Sequence, residues 1–249
     1  MITMKFLFKI MFLVSVIPIV ASACHPALKE PEIITHSEIV EQTKIINHDE
    51  YDLSVETPPF ESLGCPPDKQ SGLNFCSSDS VLRTMGCVYV FTPNSLLGGL
   101  EPIYPLIECA LDSNNYLYKS GCMANFNIGL VAYKDGGYQL IDSESKLRKM
   151  YAPIELDEEA LSYAIAGTGL LAHYDLHISD EQEYYVNQIE ETYVMKDGED
   201  FSVHLFDYRL CGCGKHETYS MDVRVTRDGH IQQTRKELIF RDINLVCRD

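Results

Sequence analysis

Tyr219, Met221, Val223 and Val225 alternate strictly with Ser220, Asp222, Arg224 and Thr226. A period of two puts one set of side chains on a buried face and the other in water, so the spacing predicts a half-buried strand. Residues 189–195 and 201–208 flank Lys196-Asp197-Gly198 as two strands of an antiparallel meander, and Arg227-Asp228-Gly229 leads into a final strand over about 230–240. Upstream, 129–133 and 138–141 flank Lys134-Asp135-Gly136-Gly137, a hairpin signal because Asp-Gly tolerates the positive φ of tight turns. Between these regions the period changes to that of a helix. Residues 143–151 place Leu147, Met150 and Tyr151 on one side, and Pro153 ends the turn. Asp157 then reads as the cap of a stronger helix. Glu158 and Glu159 suit its positive end, Ala160, Leu161, Ala164 and Ile165 form its apolar stripe, and Gly167 and Gly169 end it. The predicted fold class is α+β, a helix packed on an antiparallel meander sheet, preceded by a disulfide-rich N-terminal half.

That N-terminal half is punctuated by Pro66-Pro67, Gly98-Gly99, Pro102 and Pro105. One short β-prone run, Cys87-Val88-Tyr89-Val90-Phe91, stands out, and Leu96, Leu97, Leu100, Ile103, Leu106 and Ile107 read as core. The expectation for 63–127 is short elements and loops fixed by disulfides. Before it, residues 25–62 carry nine acidic residues against two lysines, with Pro26, Pro31, Pro58 and Pro59. Such a stretch extends by self-repulsion and reads as an acidic tether. Within it the apolar pairs Ile33-Ile34 and Ile45-Ile46 are the points expected to dock.

The first 23 residues have the form of an export signal. Lys5 and Lys9 open it, and 10–20 is almost wholly apolar. Eleven residues rise about 16 Å as a helix, too short for a hydrocarbon core of about 30 Å. Val20-Ala21-Ser22-Ala23-Cys24 resembles the lipobox of bacterial lipoproteins, with Ala21 where the first box position usually carries Leu. The resemblance implies that Cys24 is acylated and becomes the mature N-terminus, holding the protein to a membrane surface. Ordinary cleavage after Ala23, giving a secreted soluble protein, is the alternative. The domain reading is therefore a signal peptide over 1–23, an acidic tether over 24–62 and a single disulfide-linked body over 63–249. That body comprises a Cys-rich part, 63–127, and an α+β part, 128–249.

Nine cysteines become eight once Cys24 is spoken for: Cys65, Cys76, Cys87, Cys109, Cys122, Cys211, Cys213 and Cys247. In an oxidising compartment an even set is expected to pair. Five precede residue 123 and three follow residue 210, so complete pairing within the chain requires at least one bridge between the halves. The rival reading is the run Cys211-Gly212-Cys213-Gly214-Lys215-His216, where two thiolates and an imidazole crowd together. Structural zinc takes wider cysteine spacing and a second ligand pair, so disulfides are preferred.

Charge and motifs narrow the function classes. The formal charge is −17, and loss of the leader with its two lysines takes it to −19, which repels a phosphate backbone and excludes nucleic acid as the expected partner. No nucleophile elbow, zincin motif, P-loop or EF-hand loop occurs, and Gly167-Thr168-Gly169 is a lone G-x-G. His173-Tyr174-Asp175-Leu176-His177 puts His173, Asp175 and His177 at strand or helix spacing suited to a metal such as zinc, against the plainer reading of a solvated strand end. No cofactor is expected. The leading expectation is an exported, membrane-anchored, non-catalytic module of the cell envelope that binds a protein, peptide or envelope component. Two alternatives stand beside it. One is a metal- or thiol-dependent enzyme using Cys211, Cys213 and His216, or His173 and His177. The other is a peptidase inhibitor, suggested by an element order that loosely resembles cystatins.

Overall fold

The computed structural model describes residues 31–35, 40–41, 53–121, 125–174, 176–208 and 213–243. The chain divides into two compact units, Met1–Pro31 and Glu32–Asp249, and the architecture is that of the second. Its first strands are β1 (Val40–Glu41), β2 (Asn74–Phe75), β3 (Cys87–Phe91), β4 (Leu106–Leu111), β5 (Tyr118–Ser120), β6 (Phe126–Lys134) and β7 (Gly137–Ile141). They are followed by β8 (Gln182–Tyr184), β9 (Gln188–Ile189), β10 (Tyr193–Asp197), β11 (Asp200–Tyr208), β12 (His216–Val225) and β13 (Ile231–Asp242). The helices are α1 (Val81–Thr84), α2 (Glu144–Tyr151) and α3 (Asp157–Thr168). Two antiparallel sheets result. One has six strands in the order β2-β3-β4-β6-β5, with β7 also on β6; the other has five, in the order β10-β11-β12-β13-β8. Among the described residues only β1 and β9 pair in parallel.

The molecule is therefore mostly antiparallel β with few helices, and the expected helix-on-meander layer is only part of it. The meander itself is β10 to β13, each strand pairing with the one before. What the pattern did not predict is the six-stranded sheet built largely from the Cys-rich half. Proline and glycine break that stretch into short strands, and the cysteines themselves are core. Cys65–Cys76 and Cys87–Cys109 are disulfides, the second tying β3 to β4, and all four residues are fully buried beside Leu82, Val90, Ile107 and Val131. β4 is buried at all but one position, which explains why it reads as a continuous apolar run with no period of two.

The principal core lies around α3. Ala160, Leu161, Ala164 and Ile165 join Leu147 and Tyr151 of α2, Leu130 and Ile141 of the six-stranded sheet, and Val203, Leu205 and Val223 of the five-stranded one. Removing each large aliphatic side chain from water contributes about 1.5–3 kcal/mol. The helix is buried from Glu159 to Ala166, wider than the expected stripe, because a second layer covers its outer side. That layer is the 3₁₀ turn Ser95–Gly99. A Cβ on Gly99 would stand 2.5 Å from the Glu158 carbonyl oxygen, and the Gly99 N–H donates to Ser162 Oγ at 3.1 Å. The helix start also differs from expectation. Asp157 is its first residue, and the Glu159 carboxylate accepts from the N–H groups of Glu155 and Leu156 at 2.6 and 3.0 Å. That supplies the acceptors a helix N-terminus lacks.

Part of the segment read as a tether packs onto this body. Leu53 is buried in the core, its carbonyl accepts from the Gly98 N–H at 2.8 Å, and Glu56 O accepts from Leu106 N–H at 2.9 Å. Ile34 N–H donates to Tyr184 O at 2.8 Å. The leader, Cys24 and Ile45-Ile46 lie outside the described residues.

Candidate functional site in a cleft on the five-stranded sheet

The five-stranded sheet buries Val203, Leu205, Met221 and Val223 against α3, so the alternate positions face the other way. On that outer side Phe206, Tyr184, Ile239 and Phe240 form a second apolar cluster, joined by Ile34, Leu176 and Val186. Beside the cluster is a cleft of about 540 Å³, lined on its floor by His204, Phe206, Ser220, Arg235 and Glu237 and on its wall by residues 185–190.

The floor is organised by strand register. His204 of β11 faces Asp222 of β12, and Asp222 in turn faces Arg235 of β13. His204 Nδ1 donates to Asp222 Oδ1 at 2.6 Å; a carboxylate can only accept, so the proton sits on Nδ1. That bond is the main reason the Asp222 carboxyl lies below the usual carboxylate range, with the charges of His204 and Arg235 adding to it and burial opposing. The imidazole lies flat on Tyr193, centroids 4.9 Å apart and planes 3° from parallel, and edge-on to Phe206 at 5.3 Å. Burial pushes the Tyr193 phenol up to about 12, reinforced by Glu190 and Asp222. A ring held by stacking on one face and a carboxylate at one nitrogen has a fixed orientation. His204 Nε2 has no hydrogen-bond partner among the described residues.

The residues singled out from the sequence are distributed differently. His173 is half-buried with its ring edge-on to Phe206 at 5.1 Å, and its Nε2 is buried with no hydrogen-bond partner among the described residues. Burial alone draws its pKa below the usual value. His177 is exposed, and Asp175 lies outside the described residues. Among the described residues no group of three or more His, Cys, Asp or Glu is placed to hold a metal ion. Cys213 is disulfide-bonded, to a partner outside the described residues, and His216 is buried at the start of β12. Cys122, Cys211 and Cys247 also lie outside the description.

Sequence reasoning missed the His204–Asp222 pair. Asp222 was legible as a position on the polar face of β12, but a cross-strand partner is set by register, which a single strand does not carry. One signal was present: His204 sits between the apolar Val203 and Leu205 at an outward position.

No protein-family model, no curated protein and no solved structure matches the chain. Fold and disulfides define a β-dominant, disulfide-stabilised body suited to an oxidising, extracytoplasmic environment. Among the described residues no helix is long and apolar enough to cross a membrane.

Proposed function

We propose that this protein is an exported binding module, anchored by lipid on Cys24 at the cell envelope, that receives a protein or peptide in the cleft over β11, β12 and β13. The observation that carries the reading is the cleft floor. It is a polar, sharply oriented surface on rigid strands, where His204, Arg235 and Glu237 present donors and acceptors beside the apolar Phe206 and Ile239. Concave sites with a few fixed polar groups among apolar ones are the usual form of a recognition site.

The same imidazole–carboxylate pair is how general bases are oriented, so catalysis is the competing reading. Ser220 lines the cleft two residues before Asp222 on β12, yet no hydrogen bond joins it to His204 among the described residues. Without that contact the pair favours recognition over acyl transfer.

The test uses the full chain exported by its own leader. A photo-crosslinking residue at Asn187 in the cleft wall is expected to yield one defined adduct, reduced by Phe206→Ala, while a crosslinker at Glu61 gives none. Equal labelling from both positions, or turnover of ester and peptide substrates abolished by His204→Gln, would replace binding by another function. The mass of the mature N-terminus tests the lipid separately.

A further inference from the structure

The outer cleft holds more carboxylate than cation. Glu190 and Glu237 line it against Arg235, and Asp222 lies directly behind His204. Arg235 is already neutralised, paired with Glu237 and 4.0 Å from Asp222. Asp222 is taken up by the His204 ring at 2.6 Å. Glu190 stands apart. It accepts from Gln188 Nε2 at 3.2 Å and from the Tyr193 hydroxyl at 3.3 Å, both neutral donors, and no cation pairs with it among the described residues. Its charge is held in position and left uncompensated.

A second acceptor, of independent origin, faces the same cleft. His204 is only 4% exposed, yet it lines the cleft floor. Its Nδ1 proton is given to Asp222 and one ring face to Tyr193. What the ring has left is the bare lone pair of Nε2, which has no hydrogen-bond partner among the described residues. Buried acceptors are nearly always matched by a donor, and one on a cleft floor is matched by what enters. Tyr193 ties the two acceptors to one corner, its ring flat on His204 and its hydroxyl on Glu190. The phenol registers the charge around it: after burial, the largest causes of its raised pKa are Glu190 and then Asp222.

A charged acceptor beside a neutral one selects a cation. A metal ion is a poor match, because among the described residues no group of three or more His, Cys, Asp or Glu is placed to hold one. A lysine or arginine side chain is a good match. Its terminus carries several N–H donors, and its aliphatic stem suits the apolar surface that Phe206 and Ile239 give the cleft. The formal charge of −17 adds attraction at long range.

We infer that the cleft recognises a basic side chain of its peptide ligand, Glu190 taking the charge and His204 Nε2 accepting a hydrogen bond. This rests on the binding reading above and names the ligand's chemistry. The probes are terminally blocked heptapeptides, Gly-Ser-Val-X-Val-Ser-Gly, with lysine, arginine, glutamine or glutamate at X. They are titrated into the full chain carrying isotopically labelled histidine. The lysine and arginine peptides are expected to bind roughly tenfold tighter than the glutamine peptide, the ratio set by about 1.4 kcal/mol of charge-assisted hydrogen bonding, and to move the His204 Nε2 resonance. The glutamate peptide should bind weakest. Glu190→Gln keeps an acceptor for Tyr193, so the urea midpoint should hold while the preference for lysine over glutamine disappears. Arg235→Gln frees Glu237 and should tighten the lysine peptide, the opposite of its effect on a site for acidic ligands.

Equal binding of the lysine and glutamine peptides, a lysine preference that survives Glu190→Gln, tighter binding of the glutamate peptide, or an unmoved His204 resonance would each overturn the inference. So would the failure of every peptide to bind at millimolar concentration. A defined crosslink from Asn187 together with any of these outcomes leaves the binding function standing and removes the charge assignment alone, whereas loss of the crosslink removes both.

Discussion

The hydroxyl of Tyr163, on α3, donates to the Gly229 carbonyl at 2.8 Å, pinning the helix to the turn from which β13 starts. Gly229 has φ of 80°, and a Cβ there would stand 2.7 Å from that same hydroxyl. Tyr163→Phe leaves the carbonyl without its partner and is expected to cost about 1–2 kcal/mol in urea unfolding. Gly229→Ala should cost more, since it adds backbone strain to the collision. If both variants unfold at the wild-type midpoint, the turn is not held by this contact.

The His204–Asp222 pair makes stability depend on acid. Folding lowers the Asp222 pKa, so its contribution is present above the unfolded carboxylate value of about 3.9 and is lost as pH falls through the folded one. Asp222→Asn is expected to cost about 1–2 kcal/mol at neutral pH, with the gap to wild type closing below about pH 4. A gap that stays constant down to pH 3 would mean the bond does not depend on the carboxylate charge.

His173 gives the same sign in a higher window. Its folded pKa lies below the unfolded value of about 6.5, so the neutral ring is favoured, and stability falls as pH drops below that value toward the folded one. His173→Phe keeps the edge-on contact with Phe206 and deletes a buried nitrogen that has no partner among the described residues. Thermal melts should show the variant at least as stable as wild type at pH 7.5 and more stable at pH 5. A variant less stable at both pH values would show that the nitrogen is satisfied in solution.

Cys87 and Cys109 cross-link neighbouring strands at the centre of the smaller core. Replacing both by alanine is expected to lower stability by about 2–4 kcal/mol. Denatured, unreduced protein should show no thiol reactivity at Cys65, Cys76, Cys87, Cys109 or Cys213. Alkylation of any of these five, located by peptide mass, would contradict the pairing.

Local chemistry was the legible part of this chain. The Asp135-Gly136 hairpin appears with φ of 52° and 78°, α2 spans Glu144–Tyr151 against an expected 143–151, and the turns at Gly198 and Gly229 join the strands they were read to join. Long-range pairing was not legible. Nothing in Gln182-Glu183-Tyr184 announces a strand, because its partner is supplied by Phe240–Asp242 far along the chain. Likewise Gly98 reads as a loop breaker, whereas its role is to let the Leu53 carbonyl approach to where a Cβ would stand 2.0 Å away. The cleft floor failed to show for the same reason. Its residues come from three strands, β11, β12 and β13, and only register brings them side by side.

The order of the five-stranded sheet also dictates a sequence of events. β8 is made before the meander but joins the five-stranded sheet through β13, so Tyr184 must wait for Phe240. Ribosomes and export channels both deliver the N-terminus first. Until β13 emerges, β8 has only the single Ile34–Tyr184 bridge beside it among the described residues, and the aromatic cluster it completes stays wet. β13 is thus the timekeeper of this sheet's maturation, and substitutions that break the Tyr184–Phe240 pairing should trap a sticky, half-closed sheet.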